Sequence, residues 1–416
     1  MSPSEVEVYR FSFYTLVVFV FSLPWQDVVR LPGGSALSVS RIVGLFLIAG
    51  ATGATLRRGV VRMRMPAVTV VLTALFAFWA ISSSLWNVWN PDIGLITSLT
   101  YLQLAVMSVL VWQLCRTRDD HMVLLLAFVL GSGVLAGSIV YEFVTNPFVA
   151  NAEHSMARYT AFGGNPNGLA AMMALSLPLA WFLANFWARG LFRWLSFAYL
   201  PVGILGIILT ASRGGFITAL VGLLIIPLTF RYLGRGHRFG VAVFIVLAGV
   251  LLYSLVPAAN FERLAGTSTE ISEGNVSNRS QIWSAGLQLY TESPIIGTGT
   301  GSFTRAVEPI LGYSMPAHNA WLLVLIEMGI IGFILYVGNF IIVLIPLLRL
   351  TGADRMLYLC LWLALVVSML PSNVEDAQHV WALLIIMATR RAYVLRLPSR
   401  TLATEKTFDE AALRGA

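Results

Sequence analysis

The chain has 416 residues, 57% of them hydrophobic and only 11% charged, with a formal net charge of +7. An average soluble domain is about 25% charged, and surface-to-volume scaling leaves no soluble core of this length able to hide so much apolar surface. The basic residues fall in short clusters between apolar runs, which excludes a nucleic-acid groove and reads as membrane topology.

The apolar runs are continuous rather than alternating, so each predicts a helix that satisfies its own backbone hydrogen bonds, not a strand of a barrel. A span needs about 20 such residues. The pattern predicts twelve, at 11–26, 37–56, 67–86, 93–114, 121–143, 167–187, 193–210, 214–230, 239–256, 320–347, 355–371 and 378–395. Glu5, Glu7 and Arg10 precede the first run in place of a basic n-region, so that helix is expected to stay as an anchor. Gly329 and Gly332 in the tenth run predict a short helix over about 318–327 leading into its span. The expected architecture is a single all-α polytopic membrane domain over 1–416, with N- and C-termini cytoplasmic and a cytoplasmic tail at 396–416.

The loops test this count. With the N-terminus inside, Arg10, the arginines at 57, 58, 62, 64, 116, 118, 189, 193, 231, 235, 238, 349 and 355, and the six basic residues from Arg390 onward fall on the cytoplasmic face. That makes 20 of the 27 basic residues, as the positive-inside rule requires. The other seven are Arg30, Arg41, Arg158, Arg213, Arg263, Arg279 and Arg305. The rule gives no reason for those.

Three of the seven lie in one long outside loop, 257–317. Loops of this length in compact proteins are usually functional or disordered, and this one carries ordered signals. Asn278 reads as an N-cap, and Ile282, Trp283, Leu287 and Tyr290 then form an amphipathic stripe suited to a membrane interface. Pro294, Gly297, Gly299 and Gly301, in SPIIGTGTGSF, signal successive turns.

Candidate chemistry gathers on the same side. Arg213, in TASRGG, is held in a tight connection near the hydrocarbon boundary, where an arginine is costly without a partner. Ser212, Gly214 and Gly215 surround it, and the bland alternative is a snorkelling anchor. Arg279 opens the loop helix at the end that the macrodipole makes unfavourable for cations, which calls for an anion nearby or a salt bridge to Glu270 or Glu273. His318 and Asn319 stand where the loop re-enters the membrane. A histidine there suits a general base or, more plainly, a capping group. Arg158 precedes the strong turn and helix start of Asn165-Pro166-Asn167-Gly168. Glu375 and Asp376, in the last outside loop, read as balancing the arginines or capping the final helix.

His121 and His237 are placed in cytoplasmic loops, whereas Cys115 and Cys360 read as packing residues. No P-loop, HExxH, zinc-spaced cluster or nucleophile elbow occurs. Ionisable residues are nearly absent from the spans, only Glu142 and Glu327 lying near their ends. This argues against an ion-coupled transporter.

Arginines and a histidine under a loop at one interface suit an anionic headgroup on a lipid, such as a polyprenyl diphosphate-linked glycan. The order SRGG, NRxxxW, PIIGTGTGSF and HNAWLLVLIEMGIIG, with GGNPNGLA upstream, resembles the O-antigen ligase and polymerase superfamily. The resemblance implies a glycosyltransferase C-type helical architecture in a bacterial inner membrane, acting on its periplasmic side without metal, cofactor or nucleotide sugar. It implies binding of an undecaprenyl diphosphate-linked O-antigen donor by Arg213 and Arg279, and catalysis by His318. Ser212, Asn319 and Arg158 complete the expected substrate-binding set. Besides membrane lipids, the expected partner is a lipid A–core acceptor. A polymerase extending lipid-linked repeat units, a protein O-oligosaccharyltransferase and a non-enzymatic transporter are the alternatives.

Overall fold

The computed structural model describes residues 3–26, 64–65, 67–146, 158–161, 164–255 and 279–394, with isolated positions between 40 and 46; side chains are described from Tyr9 to Arg390. All regular structure among the described residues is helical. The chain begins with α1 (Pro3–Ser22), α2 (Val68–Ser83), α3 (Pro91–Leu114), α4 (Arg118–Thr145), α5 (Pro166–Phe182) and α6 (Gly190–Leu209). It continues with α7 (Arg213–Leu223), α8 (Ile225–Phe230), α9 (Arg235–Leu255) and α10 (Arg279–Glu292). Two short turns, α11 (Phe303–Ala306) and α12 (Glu308–Leu311), precede α13 (Ala320–Leu347), α14 (Gly352–Ser368) and α15 (Gln378–Val394).

Eleven of the predicted spans coincide with helices, whereas most of 37–56, the first part of the long loop at 257–278 and the tail at 396–416 lie outside the described residues. Among the described residues, eight segments are long and apolar enough to cross a membrane: α2, α3, α4, α5, α6, α7 with α8, α9 and α13. The expected twelve is therefore matched by eight on length and composition. At 17 residues each, α14 and α15 rise about 26 Å, against about 30 Å of hydrocarbon.

Small side chains decide which helices sit at the centre. Every residue of α5 from Leu169 to Phe182 is buried, and α4, α6, α7 and α14 pack around it. At Gly215 an added Cβ would lie 2.2 Å from the Cβ of Ala170, so glycine is what lets α7 meet α5 backbone to backbone. Ser176 Oγ donates to Ser132 Oγ across to α4 at 2.6 Å, and the Trp181 indole donates to Thr229 Oγ1 at 2.8 Å. By contrast α9 fully buries only Val241, with Phe244 and Leu252 partly packed on the core, and presents most of its other apolar side chains outward.

Contacts sort the loops into two ends. At one, Arg64 donates to the carbonyls of Trp112 and Cys115 (2.9 Å each), Arg118 and Arg390 share Asp354 (3.4 and 2.6 Å), and Tyr9 donates to Asp120 (3.0 Å). At the other, Asn87 Nδ2 donates to Thr300 O (2.8 Å), Arg158 reaches Thr210 O (3.0 Å) and Ala320 N reaches Met369 O (3.0 Å). The α3 helix runs from the second end to the first. The basic clusters thus gather at one end, as the alternation predicts. His121 departs from expectation: it is buried within α4 between the hydroxyls of Thr389 (3.1 Å) and Tyr358 (2.8 Å). Cys115 and Cys360 are buried free thiols, consistent with packing.

Candidate functional site

Three helix starts meet at the end opposite the basic clusters. The first is α7, where Ser212 caps the helix by accepting from Gly215 N (3.2 Å) and donates its own hydroxyl to Asn167 Oδ1 (2.8 Å). Arg213 is therefore the first residue of a helix whose cap is fixed. Ala211 before it has a positive φ of 49°, a conformation costly for a residue with a Cβ. Arg158 stabilises the same corner, Nε donating to Thr210 O and Nη2 to Asn167 Oδ1, both at 3.0 Å. The predicted turn at 165–168 is present, Asn165 capping α5 by accepting from Asn167 N (2.9 Å).

The second start is α10, opened by Arg279. Asn278, its expected cap, lies outside the described residues. Ile282, Ala285, Gly286 and Leu289 form the buried face, while Leu287 is 48% exposed. The buried face packs on Phe303, Leu323 and Ile326, so one side of the helix lies on α13 and Leu287 faces away from it. At Gly286 a Cβ would come 2.6 Å from Ile326 Cδ1. The Trp283 indole donates to Ala317 O (2.9 Å), tying this helix to the residue before His318.

The third start is α13. Asn319 caps it by accepting from Leu322 N (3.1 Å), so the predicted polar residue serves the backbone. His318 stands just before the cap, half-buried, with φ 50°. Strained non-glycine residues persist only where the surroundings over-determine them. Trp283 on one side of His318 and the bond from Ala320 N to Met369 O on the other supply that constraint.

Electrostatics link the three. Burial, and then the charge of Arg213, lowers the Arg279 guanidinium from its usual value. Burial, and then Arg279, lowers the His318 imidazole below its usual 6.5. At neutral pH His318 is therefore a neutral ring able to take a proton. Two neighbouring guanidiniums beside a neutral imidazole form a candidate site for a multiply charged anion. Of the other outside arginines, Arg305 is exposed and paired with Glu308 at 3.1 Å; Arg30, Arg41 and Arg263 lie outside the described residues.

The glycine-rich turns support the site from below. The α13 helix breaks at Gly329 (φ 63°, ψ −170°), two residues beyond the expected end of its first segment. Five of the groups at the break find partners elsewhere in the chain. Ile326 O accepts from Thr298 N (3.0 Å), Glu327 O from Gly299 N (2.8 Å) and Met328 O from the Trp79 indole (2.9 Å). Ile330 N and Ile331 N donate to Pro294 O (2.9 Å) and Ile295 O (3.4 Å). Gly297 permits the approach: its φ is +75°, and a Cβ there would lie 2.4 Å from the Glu327 carbonyl. These glycines dock a loop into a broken helix rather than cradling a phosphate.

Glu327 is the residue that sequence reasoning missed. It is buried, and its two oxygens accept from Gly301 N (2.8 Å) and Phe303 N (2.9 Å). The available signal was an acidic residue inside an apolar run that also contains two glycines. Glu375 and Asp376 stand near Glu327. Burial, and then the charge of Asp376, pushes Glu375 well above its usual carboxylate value, and burial raises Asp376.

A helical membrane-type bundle with an arginine–histidine cluster at one end is the class these features define. Residues 198–337, from within α6 to within α13, match the family model described as O-antigen ligase. The match spans Arg213, Arg279 and His318, so this segment is similar to that family. No curated protein matches the chain.

Proposed function

We propose that this protein transfers O-antigen polysaccharide from undecaprenyl diphosphate to the lipid A–core at the periplasmic face of a bacterial inner membrane. The observation that carries this reading is the convergence of Arg213, Arg279 and His318 at three helix starts, linked through their charges. In the proposed reaction Arg213 and Arg279 hold the diphosphate in two-point contacts. His318 takes the proton of the acceptor hydroxyl as its oxygen bonds to the anomeric carbon. The bond from that carbon to the phosphate oxygen breaks, and its electron pair leaves on undecaprenyl diphosphate. The guanidiniums stabilise the charge that grows there, which is why the proposal assigns no step to a metal. Arg158, Ser212 and Asn319 act by positioning: their hydrogen bonds hold the corners from which Arg213 and His318 project.

Reconstitution with undecaprenyl diphosphate-linked glycan and a choice of acceptors tests this. Glycosylation of lipid A–core is the expected outcome. Lengthening of the lipid-linked glycan instead would make the protein a polymerase. Transfer to a protein side chain would make it a protein glycosyltransferase, and movement of the glycan across liposomes with no new glycosidic bond would overturn enzymatic transfer altogether.

A further inference from the structure

At the end of the bundle opposite this site, a second pocket of about 380 Å³ opens where α5, α6 and α9 come together. Asn185, Trp187, Arg189, Arg193, Tyr232 and His237 line it. Its wall is formed by a single π-helical turn, Leu183–Trp187, closed by a bond from Ala188 N to Leu183 O (2.7 Å). Such turns widen a helix and recur at functional sites.

The polar groups are arranged but not balanced. His237 Nε2 lies 2.7 Å from Asn185 Oδ1, and its Nδ1 lies 3.3 Å from Arg193 Nη2. The ring therefore donates to the amide oxygen, accepts from the guanidinium and holds it in place. Arg193 Nε is buried without a hydrogen-bond partner. Neither Arg189 nor Arg193 forms an ion pair among the described residues; an acid close by, Asp119, accepts from the Trp187 indole at 3.3 Å. The α6 and α9 helices begin beside the pocket at Gly190 and Arg235, and neither has an acidic residue in its first turn. Cations at helix N-termini are unfavourable unless an anion joins them.

The surroundings identify the anion's carrier. Leu191, Trp194 and Phe239, on the first turns of these two helices, are strongly exposed, and α9 presents most of its apolar side chains outward. Aromatic and apolar side chains beside a basic pocket at the end of a spanning helix suit an interfacial lipid.

We infer that this pocket binds the phosphate headgroup of an anionic phospholipid, seated on Arg193 and Arg189 with the acyl chains along α6 and α9. It is separate from the donor site and independent of the proposed reaction. The test uses delipidated full-length protein in detergent, with dioleoyl phosphatidylglycerol, dioleoyl phosphatidylcholine and inorganic phosphate as probes, read by thermal unfolding and native mass spectrometry. Phosphatidylglycerol is expected to bind more tightly than phosphatidylcholine. Arg193→Gln and Arg189→Gln should each weaken it about fivefold, the worth of one arginine at a lipid surface. Arg305→Gln, at the far end, should leave it unchanged. If Arg193→Gln does not fold, the exposed Arg189 carries the comparison. Equal binding of the two lipids, or undiminished phosphatidylglycerol affinity in the folded variants, overturns the inference. Inorganic phosphate binding as tightly as phosphatidylglycerol would also overturn it, by making the pocket a free-anion site.

Discussion

Arg213 occupies the first position of α7, so an anion bound there would meet backbone N–H groups and guanidinium donors together, with Arg279, the first described residue of α10, adding a second guanidinium. A lysine would keep the charge and lose the fork. Arg279→Lys should therefore lower kcat/KM about tenfold or more, the worth of one charge-assisted hydrogen bond; an unchanged value would remove Arg279 from the proposed clamp. For His318 the sign follows from its neighbours. Its pKa is lowered by burial and by Arg279, so the neutral, proton-accepting form persists at neutral pH and is lost only as pH falls below the usual 6.5. Bound diphosphate brings opposite charge and should raise that pKa. The acid limb of kcat should then lie at higher pH than that of kcat/KM. Arg279→Gln, which removes a positive charge, should move the kcat/KM limb upward. Pre-steady-state and steady-state pH profiles of the reconstituted protein decide this, and a limb unmoved by Arg279→Gln would break the coupling. These three residues were legible because each violates a rule that sequence exposes: an arginine on the wrong side, a cation at a helix start, a histidine at a membrane junction. Arg158, Ser212 and Asn319 were legible as polar and nearby, but their bonding to backbone and to Asn167 is a property of the folded corner.

The element that sequence described least well is α13. Its 28-residue apolar run hides a complete break at Gly329, because hydropathy records side chains and not the backbone dihedral that glycine alone adopts easily. The partner that satisfies the break, the 294–301 loop, lies about thirty residues upstream, beyond any local pattern. The same limit explains the loop helix. Ile282 lies in the buried face, joined there by Ala285 and Gly286, small residues that allow the close approach of α13. Two substitutions test the docking. Gly297→Ala combines a positive φ with a backbone approach of 2.4 Å and should destabilise by about 3 kcal/mol or more. Glu327→Gln presents an amide N–H₂ to one of two backbone donors and should cost about 1–3 kcal/mol. Both should lower the unfolding midpoint and increase proteolysis between α10 and α13. Wild-type stability in both variants would mean that the loop is held by something other than these contacts.

Across the whole molecule, charge divides the bundle more clearly than hydropathy counts it. The number of spans rests on length, where α14 and α15 fall short and most of 37–56 is outside the description. Sidedness rests instead on contacts. Arg64, Arg118, Arg193 and Arg390 converge at one end, while Arg158 and the Arg213–Arg279–His318 group stand at the other. The positive-inside rule assigns the first end to the cytoplasm, which would put the donor site on the periplasmic face. Both native cysteines are buried, so an introduced surface thiol should report against a low background. Glu292 ends α10 on the site's side, and Thr351 precedes α14 on the basic side; both are exposed. Glu292→Cys should react with a membrane-impermeant maleimide in right-side-out vesicles, and Thr351→Cys only in inverted ones. Labelling of both from one side would break the alternation on which the topology stands. The reverse pattern would keep the two ends but move the arginine–histidine site to the cytoplasmic face, where a periplasmic transfer could not occur.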